Sequence, residues 1–173
     1  ETSILDSKGK VVATKKSPVA VSPQGTTYFT EEFQMKNPHL WDGVRDPYLY
    51  SVKSRLLKGN QEIDVVAQPL GIRKVEVIPG KGFILNGKPY PMHGVSRHQD
   101  LWGYGSALSV EQHRADMELM KEMGVTTLRL AHYQQAPQMY ELADEYGFLV
   151  WAEIPFVNAV SYQESENAKQ QMT

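Results

Sequence analysis

Apolar positions in residues 1–78 recur with a period of two. The runs "TSIL", "KVVATKK", "TTYFTEEFQM", "YLYSVKSRLL", "QEIDVVAQPLG" and "IRKVEVI" are rich in Val, Ile, Tyr and Phe, the pattern of strands with one buried face. Turn signals separate them at Ser7-Lys8-Gly9-Lys10, Pro23-Gln24-Gly25, Asn37-Pro38, Asp46-Pro47 and Lys58-Gly59-Asn60. Short strands at this spacing predict an antiparallel sandwich. Proline lacks the N–H that a ladder needs, so runs containing it belong at sheet edges.

From residue 79 the rhythm changes. Asn86-Gly87 inside "FILNGKPY" predicts a hairpin with a type I′ turn, and Met92 to Arg97 reads as a strand. Ser109 with Gln112 three residues on is a capping box. The helix it opens places Met117, Met120 and Met123 on one face and stops at Gly124. Val125 to Ala131 reads as the next strand. Pro137 then starts a helix with Met139, Leu142, Ala143 and Tyr146 as its apolar face, and Gly147 ends it. Phe148 to Ile154 forms a third strand. Strand and helix alternating in this way predict a parallel sheet with crossover helices. The boundary falls at 78/79, giving domains 1–78 and 79–173. From Ser161 the polar run "SYQESENAKQQMT" is expected to enter another helix. Three parallel strands cannot close a barrel and would leave an apolar edge. The chain is therefore expected to be a fragment of a longer one, against the alternative of a complete two-domain miniature.

Composition narrows the function classes. A net charge of -2 supplies no basic field, so neither nucleic acid nor an anionic membrane is an expected partner. No run of 18 apolar residues is present to form a transmembrane helix. The opening "ETSILDSKGK" lacks the layout of a signal peptide. Zero cysteines exclude disulfides, thiol catalysis and thiolate metal sites. That absence leaves a bacterial periplasmic and a cytoplasmic location equally open.

The chemistry gathers at the carboxyl ends of the predicted parallel strands, where ligands bind in such folds. The first end carries Arg97, His98, Gln99 and Asp100, followed by Trp102 and Tyr104. Arg129, His132 and Tyr133 stand at the second, and Glu153 closes the third, followed by Pro155 and Phe156. Alternation puts Leu128 and Leu130 on one face of the second strand and Thr127, Arg129 and Ala131 on the other. A guanidinium facing a barrel interior needs a partner, and it would hold a carboxylate ionised. Structural readings stand beside these. Arg129 serves equally as an ion-pair partner inside the barrel, His132 as a histidine bonded to a backbone carbonyl, Arg97 to Asp100 as a solvated loop, and Glu153 as a helix cap or as the partner of Arg129. His93, His98 and His132 do not have the spacing of a barrel metal site, so neither a metal nor any cofactor is expected.

Five ordered stretches carry a family resemblance: "LWDGVRDPYLYSV" (40–52), "GIRKVEV" (71–77), "GFILNGKPYPMHGVSRHQD" (82–100), "DMELMKEMGVTTLRLAHY" (116–133) and "YELADEYGFLVWAE" (140–153). Together they resemble glycoside hydrolase family 2, the family of β-galactosidases, β-glucuronidases and β-mannosidases. The resemblance implies an immunoglobulin-like β-sandwich followed by the first three β/α units of a (β/α)8 TIM barrel, truncated. It also implies a retaining exo-glycosidase with two glutamates roughly 5 Å apart. These would lie at the ends of strands four and seven, outside this chain, so no residue here is expected to be a catalytic nucleophile or acid/base. As active-site support and substrate contact the resemblance implies Arg97, His98, Asp100, Arg129 and His132, with Glu153 beside them. Gln99, Ala131 and Gln134 depart from the family's usual Glu, Ser and Pro. The expected substrate is a terminal β-linked sugar, a β-galactoside first, with a homo-oligomer possible for the full-length protein. A non-catalytic carbohydrate-binding sandwich and a barrel metallohydrolase are the rivals.

Overall fold

The computed structural model describes residues 1–155. The helix expected from Ser161, and Phe156, lie outside them. The described chain forms two compact units, residues 1–41 with 48–73 and residues 42–47 with 74 onward.

In the first unit, β1 (Thr2–Leu5), β2 (Val11–Lys15), β3 (Tyr50–Lys58) and β4 (Gln61–Leu70) make one antiparallel sheet in the order β2-β1-β3-β4. Local chemistry closes its turns. Asp6 Oδ1 accepts from the Lys8 and Lys10 N–H groups, and Gly9 and Gly59 hold positive φ. Pro69 sits in β4, at the sheet edge, where its missing N–H breaks no interior ladder. Ile4, Trp41 and Tyr50 are buried. Trp41 donates its N–H to the Ile72 carbonyl, and the Arg73 guanidinium lies 4.9 Å from its ring centroid. The two motifs "LWDGVRDPYLYSV" and "GIRKVEV" thus meet at one tryptophan.

Two expectations for this half are corrected. "TTYFTEEFQM" is not a strand: residues 26–35 pair with no ladder, and Tyr28 is 92% exposed. Alternation qualifies a segment for strand, but only a neighbour's N–H and C=O groups make it one. The described residues of this half form one four-stranded sheet. The last predicted strand of that set also pairs elsewhere, in the second unit.

There, β5 (Val75–Ile78), β6 (Gly82–Leu85) and β7 (Lys88–Pro89) form an antiparallel three-stranded sheet. Asn86 and Gly87 both have positive φ, as the type I′ turn requires. Gly43 permits a close approach, since a Cβ on it would stand 2.2 Å from the Tyr90 hydroxyl. That hydroxyl instead accepts from the Val44 N–H at 3.0 Å.

The parallel layer follows as β8 (Gly94–Arg97), α1 (Val110–Glu122), β9 (Thr127–Leu130), α2 (Pro137–Tyr146) and β10 (Leu149–Ala152), in sheet order β10-β9-β8. The strands run in register, so Ser96, Arg129 and Trp151 share one row, and Arg97, Leu130 and Ala152 the next. Met117, Met120, Leu128, Leu130, Met139, Leu142, Ala143 and Phe148 close the core between sheet and helices. The apolar stripe of α1 is His113, Met117 and Met120. Met123 lies at the C-cap and is 71% exposed, because the helix has already ended. Ser109 and Gln112 form the reciprocal capping box. A Ser109→Ala chain is expected to lose about 1 kcal/mol, read from the urea midpoint.

Candidate functional site

The sheet's two faces have separate chemistry. Leu128 and Leu130 are fully buried toward the helices, while Arg129 points the other way with Ser96 and Trp151, all exposed. Glu153 follows β10 with its side chain 18% exposed. One of its oxygens accepts from Arg129 Nε, and the other accepts from His132 Nδ1 at 2.7 Å. Arg129 Nη1 donates to Ser96 Oγ at 3.3 Å. Strands β8, β9 and β10 thus each contribute to one polar cluster on the face away from the helices.

The protonation pattern follows from the partners. A carboxylate can only accept, so His132 Nδ1 carries the proton that it shares with Glu153. The 3.3 Å approach of Arg129 Nη2 to the same nitrogen is then two donors side by side, held together by the anion between them. Nε2 is left as the nitrogen of His132 able to accept from a hydroxyl while the ring is neutral. Hydrogen bonds from His132 and then from Arg129 hold the Glu153 carboxyl below its ordinary 4.5, against the raising effect of partial burial.

His98 joins this side, its ring 5.4 Å from His132 edge-on and 6.2 Å from Tyr133. Asp100 does not join it. It is exposed and, among the described residues, bonds to none of Arg129, His132 and Glu153, lining instead an open groove with Ser96, Arg97, His98 and Asp116. Trp102 and Tyr104 project from a turn closed by the Leu101–Gly105 bridge, 96% and 61% exposed. Among the described residues, no group of three or more His, Asp or Glu side chains is placed to hold a metal ion.

Arg97 turns away from the cluster. It is 7% exposed and donates to Asp116 Oδ2 through Nε and Nη2 (2.9 and 2.6 Å), and to Gln135 Oε1 through Nη1 (2.7 Å). Nη2 also donates to His113 Nδ1 at 3.1 Å. The guanidinium is therefore engaged between β8, α1 and the loop after β9, on the helix side of the sheet. Sequence reasoning missed His113, Asp116 and Gln135. The signal for the first was a histidine in step with Met117 and Met120, four and seven residues on, on a buried helix stripe where a polar ring needs a partner inside.

Because Nδ1 of His113 accepts from a cation, Nε2 carries its proton, and among the described residues that nitrogen has no hydrogen-bond partner. Burial, and then the adjacent Arg97 charge, push its pKa below the ordinary 6.5, while Asp116 pulls the other way. The unfolded chain consequently takes up a proton near pH 6.5 that the folded chain refuses. This contribution to stability is complete above that pH and declines as pH falls below it. His113→Gln is expected to lose less stability than the parent chain between about pH 7.5 and about pH 5.5, measured by urea unfolding at each pH.

A parallel βα layer with polar side chains gathered at its strand ends is the arrangement at which α/β folds bind ligands. The family is set by comparison. Residues 75–173 match the profile described as glycosyl hydrolases family 2, TIM barrel domain, and residues 1–73 match glycosyl hydrolases family 2. The chain belongs to glycosyl hydrolases family 2. It is 43% identical over 182 aligned positions to a β-glucuronidase of Bacteroides fragilis, covering 99% of this chain and 26% of that protein. It is 32% identical to a β-galactosidase of Bacteroides ovatus, covering 88% of this chain and 18% of that one. The crystal structure of a putative β-galactosidase from Bacteroides fragilis superposes with a TM-score of 0.93 at 49% identity, over 99% of this chain and 25% of that one. The chain thus spans about a fifth to a quarter of the length of these relatives.

Proposed function

We propose that this chain is the segment of a retaining exo-β-glycosidase that joins an immunoglobulin-like sandwich to the catalytic barrel and builds one wall of the sugar-binding subsite. The observation that carries this reading is the Arg129–Glu153–His132 cluster, held by three in-register strands on the face away from the helices. An imidazole whose Nδ1 is engaged by a carboxylate, with a guanidinium beside it, presents hydrogen-bonding groups that suit hydroxyls better than a metal or a phosphate. In this reading His132 and His98 face the sugar, while Glu153 and Arg129 set the orientation of His132. Two glutamates outside the chain perform the double displacement. Arg97 is a scaffold residue.

The substrate is a terminal β-linked sugar. A β-galactoside is the first reading from sequence, and a β-glucuronide stands beside it because relatives bearing both names match the chain. Nitrophenyl β-galactoside and nitrophenyl β-glucuronide, offered in parallel to the full-length gene product that contains these residues, separate the two. The 173-residue chain alone is expected to turn over neither. Turnover by the chain alone, or none of any β-glycoside by the full-length product, would overturn the proposal.

A further inference from the structure

Two loops carry the candidate sugar contacts, and two glutamines tie them together. Gln99 lies one residue beyond His98. Its backbone N–H donates to the Tyr133 hydroxyl at 3.1 Å, its Oε1 accepts from the Ala136 N–H, and its Nε2 donates to the Ser106 carbonyl at 3.1 Å. Gln135 closes the same pair of loops from the other side. Its Oε1 accepts from Arg97 Nη1 at 2.7 Å, and its Nε2 returns a hydrogen bond to the Arg97 carbonyl at 2.8 Å. Gln135 is 6% exposed, so these bonds meet little competition from water. Each amide uses its acceptor and its donor at once, which no carboxylate can do.

We propose that Gln99 and Gln135 are positioning residues, an amide latch that fastens the loop bearing His98 to the loop bearing His132 and so sets the spacing of the two rings at the sugar subsite. The inference rests on the reading that these histidines face the sugar. The backbone at residues 97–99 and 132–136 is bonded across at several points, whereas the two imidazoles touch only edge-on at 5.4 Å. The ring separation therefore follows from how the two backbones are held, by the β8–β9 ladder up to the Ala131 N–H to Arg97 carbonyl bond and beyond it by the latch, rather than from contact between the rings. Positioning of this kind acts through small displacements, to which transition-state contacts are sensitive.

The test uses the full-length gene product and three forms: parent, Gln99→Ala and Gln99→Glu. Hydrogen-exchange mass spectrometry follows the peptide spanning residues 133–138, with β9 as internal reference. Steady-state kinetics follow the better nitrophenyl β-glycoside. Gln99→Ala is expected to speed exchange in 133–138 about tenfold with β9 unchanged, and to lower kcat/KM about tenfold. Inhibition by a sugar-shaped iminosugar should weaken by the same factor. Gln99→Glu keeps the acceptor for Ala136 and loses the donor to Ser106, so its 133–138 exchange should stay near the parent's and its kcat/KM should fall between the other two. Unchanged exchange in Gln99→Ala would overturn the latch, and so would faster exchange with kcat/KM unaltered. Absence of turnover in the parent itself would overturn the proposed function instead, and the exchange result would then decide the latch alone.

Discussion

An Asp116→Ala chain is expected to be about 3 kcal/mol less stable than the parent. Arg97 is buried, and its guanidinium donates to Asp116, Gln135 and His113. Of these partners Asp116 supplies the negative charge. Deleting one member of a buried ion pair costs more than the pair is worth, because the remaining charge stays where water cannot reach it. The Asp116 side chain is 41% exposed, so some water enters and the effect falls at the low end for buried pairs. Asp116→Asn keeps an oxygen able to accept and should lose distinctly less. Urea unfolding followed by circular dichroism measures both. A cost below about 1 kcal/mol for Asp116→Ala would be that of a surface pair and would remove Arg97 from the scaffold role.

The second large effect falls on activity. Glu153→Gln in the full-length gene product is expected to lower kcat/KM on the order of tenfold to a hundredfold. The carboxylate accepts from both Arg129 and His132, and an amide cannot do so, because its NH2 would face one of the two donors. With the anion gone, Arg129 and the Nδ1–H of His132 stand side by side uncompensated, and the ring is free to change tautomer. Combined with His132→Ala the loss should be smaller than the product of the two single losses, since the residues act through one hydrogen bond. A pH dependence accompanies this. The carboxyl's folded pKa is depressed, so the arrangement is intact above the unfolded value of 4.5 and fails as pH falls through the lower folded value.

What the sequence disclosed was local. The capping box at Ser109 and Gln112, the positive-φ pair Asn86-Gly87 and the glycine stop at Gly147 are each set by neighbours in the chain, and each stands in the structure. Alternation in β9 likewise separated Leu128 and Leu130 from Arg129. Applied to β8, the same rule places Arg97 with Val95, in register with Leu130 and Leu128 on the helix side. Grouping Arg97 with His98 and Asp100 at the strand end, without extending the alternation from Val95 to it, hid that.

What the sequence withheld was pairing at a distance. Glu153 was open between a helix cap and a partner of Arg129, and only the β9–β10 register decides for the latter. Nothing in "EQHRADMELM" says that His113 and Asp116 converge on a guanidinium from β8. "TTYFTEEFQM" has the composition of a strand without a ladder to join. Each of these depends on residues many positions away, which composition and period do not encode.

That the barrel segment builds a sugar subsite is tested most directly at His132. The measurement is kcat/KM of the full-length gene product for its better nitrophenyl β-glycoside, parent against His132→Ala, with the fold checked by circular dichroism. A fall of at least about tenfold with the fold intact is expected, since a hydroxyl contact strengthened in the transition state is lost. An unchanged kcat/KM would contradict it.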